Sequence, residues 1–121
     1  MEELLHSFSK LFVPEEILAH FEVKSLREVD GVILIEMDEK IEGHVPKIIL
    51  REGKAVLSGY CNPKEIQTYP AQGKEVFIKL RRRKWKVKGT TKSYSNSYSF
   101  TKEGMKATDQ FGSFLKEIGR E

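Results

Sequence analysis

The chain has 121 residues, 39% of them hydrophobic and 32% charged, with a formal net charge of +3. That length and composition fit one domain, 1–121, with a modest core. The longest apolar runs, such as residues 32–35, are far too short to cross a bilayer, and the acidic opening Met1-Glu2-Glu3 predicts no signal peptide. The lone Cys61 cannot close an intrachain disulfide, which fits a reducing, cytoplasmic setting.

Charge is divided along the chain. Residues 1–65 carry eight basic and thirteen acidic side chains, for −5, and residues 66–121 carry thirteen basic and five acidic, for +8. A basic half of this kind suits nucleic acid, an anionic membrane or an acidic protein.

In chain order, residues 2–12 read as an amphipathic helix with Leu4, Leu5, Phe8, Leu11 and Phe12 on one stripe. Pro14-Glu15-Glu16 opens a second helix, to about Phe21, that would bury Ile17, Leu18 and Phe21. Residues 21–29 alternate only in part, as a short strand or an irregular link. Asp30-Gly31 is a turn signal, and residues 32–37 are the clearest early strand. Residues 38–46 read as a loop in which Asp38, Glu39 and Glu42 are solvated charges. Residues 47–50 and 54–60 have the form of a hairpin, 64–69 of a further strand, and Pro70 to Gly73 of a tight connection. Short sequential strands suggest antiparallel pairing, because a parallel sheet needs long crossovers. Residues 89–97, rich in Ser, Thr and Tyr, are expected to form a mobile loop, and Thr101 is an N-cap for a last helix to Ile118. The expected fold is thus α+β: a small twisted antiparallel sheet with two short N-terminal helices and one C-terminal helix.

The stretch from Phe77 to Lys88 combines the densest charge with good strand formers. Eight basic residues fall within fourteen positions, Lys79, Arg81, Arg82, Arg83, Lys84, Lys86, Lys88 and Lys92, with no acid among them. Val76, Ile78 and Leu80 are even-numbered and Trp85 and Val87 odd. A period-2 pattern changes parity only through an extra residue or a turn, which predicts a bulge or reversal at 81–83 and burial of both sets on one sheet face. Charged residues on such a strand can simply discourage edge pairing. Three adjacent arginines exceed that need, and their forked donors suit phosphate oxygens. Trp85 is a core anchor or a platform for an unpaired base. An acidic protein partner fits the same charge; a membrane surface does not, because no exposed apolar stripe lies opposite the cations.

Catalytic and metal chemistry find little support. His6, His20 and His44 are far apart, Cys61 has no Cys-x-x-Cys partner, and no phosphate-binding glycine loop or Gly-x-Ser-x-Gly occurs. The sequence therefore predicts no catalytic residue, no cofactor and no bound metal.

The run from Gly59 to Trp85, with Phe12-Val-Pro-Glu-Glu-Ile-Leu18 before it and Thr101 and Phe111-Gly-Ser-Phe-Leu-Lys-Glu-Ile118 after it, resembles the N-terminal region of insertion-sequence transposases of the ISAon1 type. Those in turn look like relatives of the ISL3 type, in which a Pro-x-x-Gly stretch leads into an arginine-rich strand, matched here by Pro70, Gly73, Lys74, Val76 and Arg81 to Arg83. The cysteine pairs that hold zinc in the ISL3 type are missing here. The resemblance implies recognition of transposon-end DNA, with the residues that cut and join DNA in a separate catalytic region. The eight basic residues are the expected DNA contacts. The expected partners are DNA, a catalytic transposase subunit or domain, and a second copy of the chain. The alternative is a protein–protein assembly domain that uses its acidic and basic halves. If acids from residues 1–65 pair with the basic run, assembly gains; if the run shares one uncovered face, DNA does.

Overall fold

A computed structural model of the protein describes Ser7 and residues 10–100. Within them lie two short helices, α1 (Glu15–Leu18) and α2 (Lys47–Glu52), and seven strands: β1 (Phe21–Val29), β2 (Val32–Glu39), β3 (Ala55–Tyr60), β4 (Lys64–Ala71), β5 (Lys74–Arg81), β6 (Arg83–Val87) and β7 (Ser93–Tyr94). The class is α+β. The strands form two sheets where one was expected, a larger one in the order β1-β2-β5-β4 and a smaller one in the order β3-β6-β7. The C-terminal helix expected over 101–118 lies outside the described residues, as does most of the helix expected over 2–12. Of that first helix's expected apolar stripe, Leu11 is exposed and Phe12 packs against the core.

Two tight turns set the register of the larger sheet. Asp30 and Gly31 have φ of 51° and 78° and place Val29 opposite Val32; Gln72 and Gly73, at 52° and 76°, place Ala71 opposite Lys74. Consecutive positive φ values match the twist of paired strands, and glycine adopts them without a Cβ clash. β1 is a full strand whose register shifts between Val23 and Ser25, which explains its broken alternation in sequence. β2 and β5 run parallel, Ile33 to Asp38 beside Val76 to Arg81. This corrects the expected all-antiparallel sheet. The connection over residues 40–73 contains α2, β3 and β4 and is ample for a crossover, which needs about a dozen residues. The remaining strand pairs are antiparallel.

One face of the larger sheet is the main core. Leu26, Ile35, Ile78 and Ile66 line up in register across its four strands, and Val76 and Leu80 flank them on β5. Val13, Ile17 and Leu18 from the α1 region and Phe100 close over this face. Burying each such aliphatic side chain contributes about 1.5–3 kcal/mol.

The smaller sheet has its own, smaller core. Residues 47–50, expected as the first strand of a hairpin, belong instead to helix α2 (Lys47–Glu52) behind Pro46, and Ile49 packs with Trp85 and Val87. An apolar Ile-Ile-Leu run suits either a strand or a helical turn; here the backbone closes a helical turn, the Gly53 N–H donating to the Ile49 carbonyl at 3.0 Å. Ile49 is fully buried while Ile48 and Leu50 are 51% and 68% exposed. β5 passes into β6 through one break, at Arg82. The parity change expected at 81–83 is there: Val76, Ile78 and Leu80 are buried on the even positions, Arg83, Trp85 and Val87 on the odd ones. The two apolar sets belong to different sheets and different cores, contrary to the expectation of one shared face.

Candidate nucleic-acid interface

The basic run divides at the corner between the sheets. Arg81, at the end of β5, donates from Nε and Nη2 to both carboxylate oxygens of Asp38, at 2.8 and 2.9 Å, and its guanidinium carbon lies 3.6 Å from the Tyr60 ring centroid. The hydrogen bonds to Asp38 hold the Arg81 pKa above the ordinary guanidinium range. Asp38 and Arg81 are register partners on β2 and β5, so the parallel pairing creates the ion pair. Arg82 donates from Nη1 to the Asn96 carbonyl at 2.9 Å. Arg83 is only 8% exposed; its Nε donates to the Glu39 carbonyl at 2.7 Å and its Nη1 to the Tyr60 hydroxyl at 3.0 Å.

Glu39 is the centre of this corner. It ends β2, and the alternation Ile33, Ile35, Met37 carries it to the core side, where it is fully buried. One carboxylate oxygen accepts from the Arg83 backbone N–H at 3.0 Å, and the other accepts from Asn96 Nδ2 at 3.1 Å and from the Tyr98 hydroxyl. Burial, reinforced by that bond, pushes the Tyr98 phenol well above its ordinary range. Asn96 Nδ2 also donates to the His44 carbonyl at 2.6 Å. Asp38 and Glu39, expected as solvated loop charges, are thus buried strand residues. A carboxylate completing the apolar alternation of Ile33, Ile35 and Met37 is a signal for Glu39 that the loop assignment overlooked.

Two histidines adjoin the corner. His44 Nδ1 lies 2.6 Å from the Glu42 carbonyl, which can only accept, so that nitrogen carries a proton. In neutral His44 the other nitrogen then accepts from His20 Nδ1, 2.9 Å away. His20 also packs against Tyr98, with ring centroids 5.1 Å apart. Among the described residues no group of three or more His, Cys, Asp or Glu is placed to hold a metal ion, and no helix is long and apolar enough to cross a membrane.

The lysines lie differently. Lys79 sits half-buried on the larger sheet in register with Glu36 and Glu65. Lys92 Nζ is 3.6 Å from Glu52 at the end of α2. Along β6, Trp85 and Val87 face α2, so Lys84 and Lys86 face away from it, and the exposed Lys88 follows in the turn after the strand. Lys88 donates its backbone N–H to the Lys54 carbonyl at 2.8 Å, which sets these two residues side by side at the end of the sheet. Lys86 pairs with Val56 on β3 and with Ser93 on β7. Among the described residues Lys54, Lys84, Lys86 and Lys88 form no ion pair. Lys54 had no special signal in sequence, since its partner on the face comes from β6.

Trp85 is 4% exposed and is a core residue, which removes it as a stacking platform. Of the eight expected contact residues, the fold places Lys84 and Lys86 on the side of β6 away from α2, Lys84 exposed and Lys86 half-buried among the described residues, with Lys88 exposed just past the strand's end. It engages Arg81, Arg82 and Arg83 internally and puts Lys79 and Lys92 beside carboxylates. No family model matches the sequence, and neither the curated proteins nor the solved structures contain a significant match to it.

Proposed function

We propose that the chain is a non-catalytic DNA-binding module of a transposase, which meets DNA through the outer face of the β3-β6-β7 sheet. The supporting observation is Lys84 and Lys86 on the side of β6 away from α2, with Lys88 and Lys54 side by side at the strand's end and no ion pair to any of the four among the described residues. Cations free of internal partners are available to phosphates, and each one engaged releases counterions and adds salt-dependent affinity. The resemblance to insertion-sequence transposases supports transposon-end DNA as the target. The arginine run serves this function indirectly, by holding the corner from which β6 departs.

The test is an anisotropy titration of transposon-end duplexes at two salt concentrations, with the wild-type chain and the variant Lys84→Gln/Lys86→Gln/Lys88→Gln. The variant is expected to bind duplexes more weakly, and its log K against log salt plot to flatten by roughly 0.9 for each lysine withdrawn from a phosphate. Unchanged affinity and slope would end the proposal. The assembly reading gains one observation: Ile48 and Leu50 on α2 and Leu57 on β3 are 51%, 68% and 46% exposed. Sedimentation that shows a monomer at every concentration, and no capture of a catalytic transposase domain, would remove it.

A further inference from the structure

We infer that the β3-β6-β7 sheet enters the major groove of duplex DNA, with Lys84 and Lys86 on base edges and Lys54 and Lys88 on phosphates; this rests on the DNA-binding function proposed above. The shape of the face points there. Its central strand carries the long side chains Lys84 and Lys86, while the flanking strands present the shorter Val56 and Ser93 in register with Lys86. A ridge of long side chains between two lower flanks fits a groove better than a flat surface. Two inter-strand spacings put the axes of β3 and β7 about 10 Å apart. The major groove of B-DNA is about 12 Å wide and admits a two-stranded ribbon, room for β6 and one neighbour, whereas the minor groove is about 6 Å wide.

The chemistry of the face agrees. Lysine offers only donors, and the major-groove edge of guanine offers two adjacent acceptors, O6 and N7. The Ser93 hydroxyl can donate or accept, and the Val56 side chain can meet a thymine methyl. The aromatic residues of the small sheet lie on the other side: Trp85 is packed with Ile49, the Tyr94 hydroxyl donates to Glu52 at 3.0 Å, and Tyr60 is the register partner of Arg83, its ring against the Arg81 guanidinium. With no ring on the lysine face among the described residues to stack an unpaired base, the face suits a duplex rather than a single strand. An RNA duplex is excluded by its deep, narrow major groove, which side chains do not reach. Lys54 and Lys88, at the end of the sheet, fall where the groove wall carries phosphates.

The test begins with selection of a preferred sequence from a pool of random DNA duplexes, then maps guanine N7 protection from dimethyl sulfate by the full chain. Protection at guanines within the selected site is expected, with weaker binding to the same sequence as single strand or as RNA duplex. Lys84→Ala/Lys86→Ala should reduce the ratio of affinities for selected and scrambled duplexes by about ten- to hundredfold. Lys54→Ala/Lys88→Ala should weaken both duplexes alike and flatten the salt dependence by roughly 0.9 for each phosphate no longer neutralised. Duplex binding without N7 protection, without selection, or with discrimination unchanged in Lys84→Ala/Lys86→Ala would overturn the major-groove placement and leave DNA binding standing. A preference for single strands would also overturn it. Absence of binding to every nucleic acid would remove both.

Discussion

Arg81, Arg82 and Arg83 lie next to Lys84, Lys86 and Lys88 in the chain and carry the same charge, yet the two groups meet different surroundings. The arginines stand where β5 leaves the larger sheet and β6 enters the smaller one, and their donors reach Asp38, Asn96, Glu39 and Tyr60. The lysines follow directly along β6 and just past its end, Lys84 and Lys86 directed away from α2 and all three without ion pairs among the described residues. A corner between two sheets leaves carbonyls and carboxylates without ladder partners, and a guanidinium, with five donors in a fixed fork, can satisfy several at once. A lysine has a compact, strongly hydrated charge on a flexible stem and is retained more easily on a solvated face. Adjacent residues of one sign can therefore serve opposite ends, and a charge run has to be divided by strand geometry before its partners are assigned.

The comparison breaks first at Glu39. If the arginine corner is structural, Glu39→Ala removes the acceptor for the Arg83 N–H, Asn96 and Tyr98 together. Leaving a buried donor without its acceptor costs about 1–3 kcal/mol for each, which urea denaturation reads as a large fall in midpoint. A destabilisation below about 1 kcal/mol, within the range of an exposed ion pair, would show that the corner does not hold the sheets.

Tyr98 gives a smaller and pH-dependent effect. Burial and the bond to Glu39 raise its pKa above the usual phenol value of about 10, so folding favours the protonated hydroxyl. A raised folded pKa means that this stabilisation is fully present below about pH 10 and is lost as pH rises through the folded value. Stability should therefore decline above about pH 10, and decline less in Tyr98→Phe, which already lacks the bond. At neutral pH that variant should lose about 1.5–3 kcal/mol, the usual worth of a hydrogen bond to a charged group. Equal alkaline slopes in the two proteins would assign the decline to other groups.

Much of this architecture is legible in the sequence, and the failures have physical causes. Asp30-Gly31 marks a turn because few residue pairs tolerate two positive φ values, and the parity change around Arg82 exposes a break in the strand. Period-2 reasoning reports which side of a strand is buried but not which sheet the strand joins, so it gives Leu80 and Trp85 one core where the fold has two. The run Lys47 to Leu50 carries no periodicity that separates a helical turn from a strand: its buried Ile49 between exposed Ile48 and Leu50 fits either. Asp38 and Glu39 read as solvated charges in sequence because their partners, Arg81 and Arg83, lie more than forty residues away and meet them only through the parallel pairing of β2 with β5.

The smallest expected changes in stability sharpen the comparison most. Arg81→Ala should cost about 1 kcal/mol: its bond to Asp38 is bidentate, but the Arg81 side chain is 43% exposed and water can replace part of that interaction. Lys84→Gln, Lys86→Gln and Lys88→Gln should each fall within about 0.5 kcal/mol of the parent, because they remove surface charge without unpairing a buried group. Measured together, melting midpoints and duplex affinities should separate the two groups in opposite directions. Arg81→Ala is expected to lower the midpoint and leave affinity nearly unchanged once the protein is folded at the assay temperature. The lysine variants are expected to lower affinity at an unchanged midpoint, and more so at low salt, where phosphate binding weighs most. If instead Arg81→Ala reduced affinity as much as the triple lysine variant, with no change in stability, the guanidinium would have to leave Asp38 for phosphate on binding, and the division of the basic run at Arg83 would be wrong.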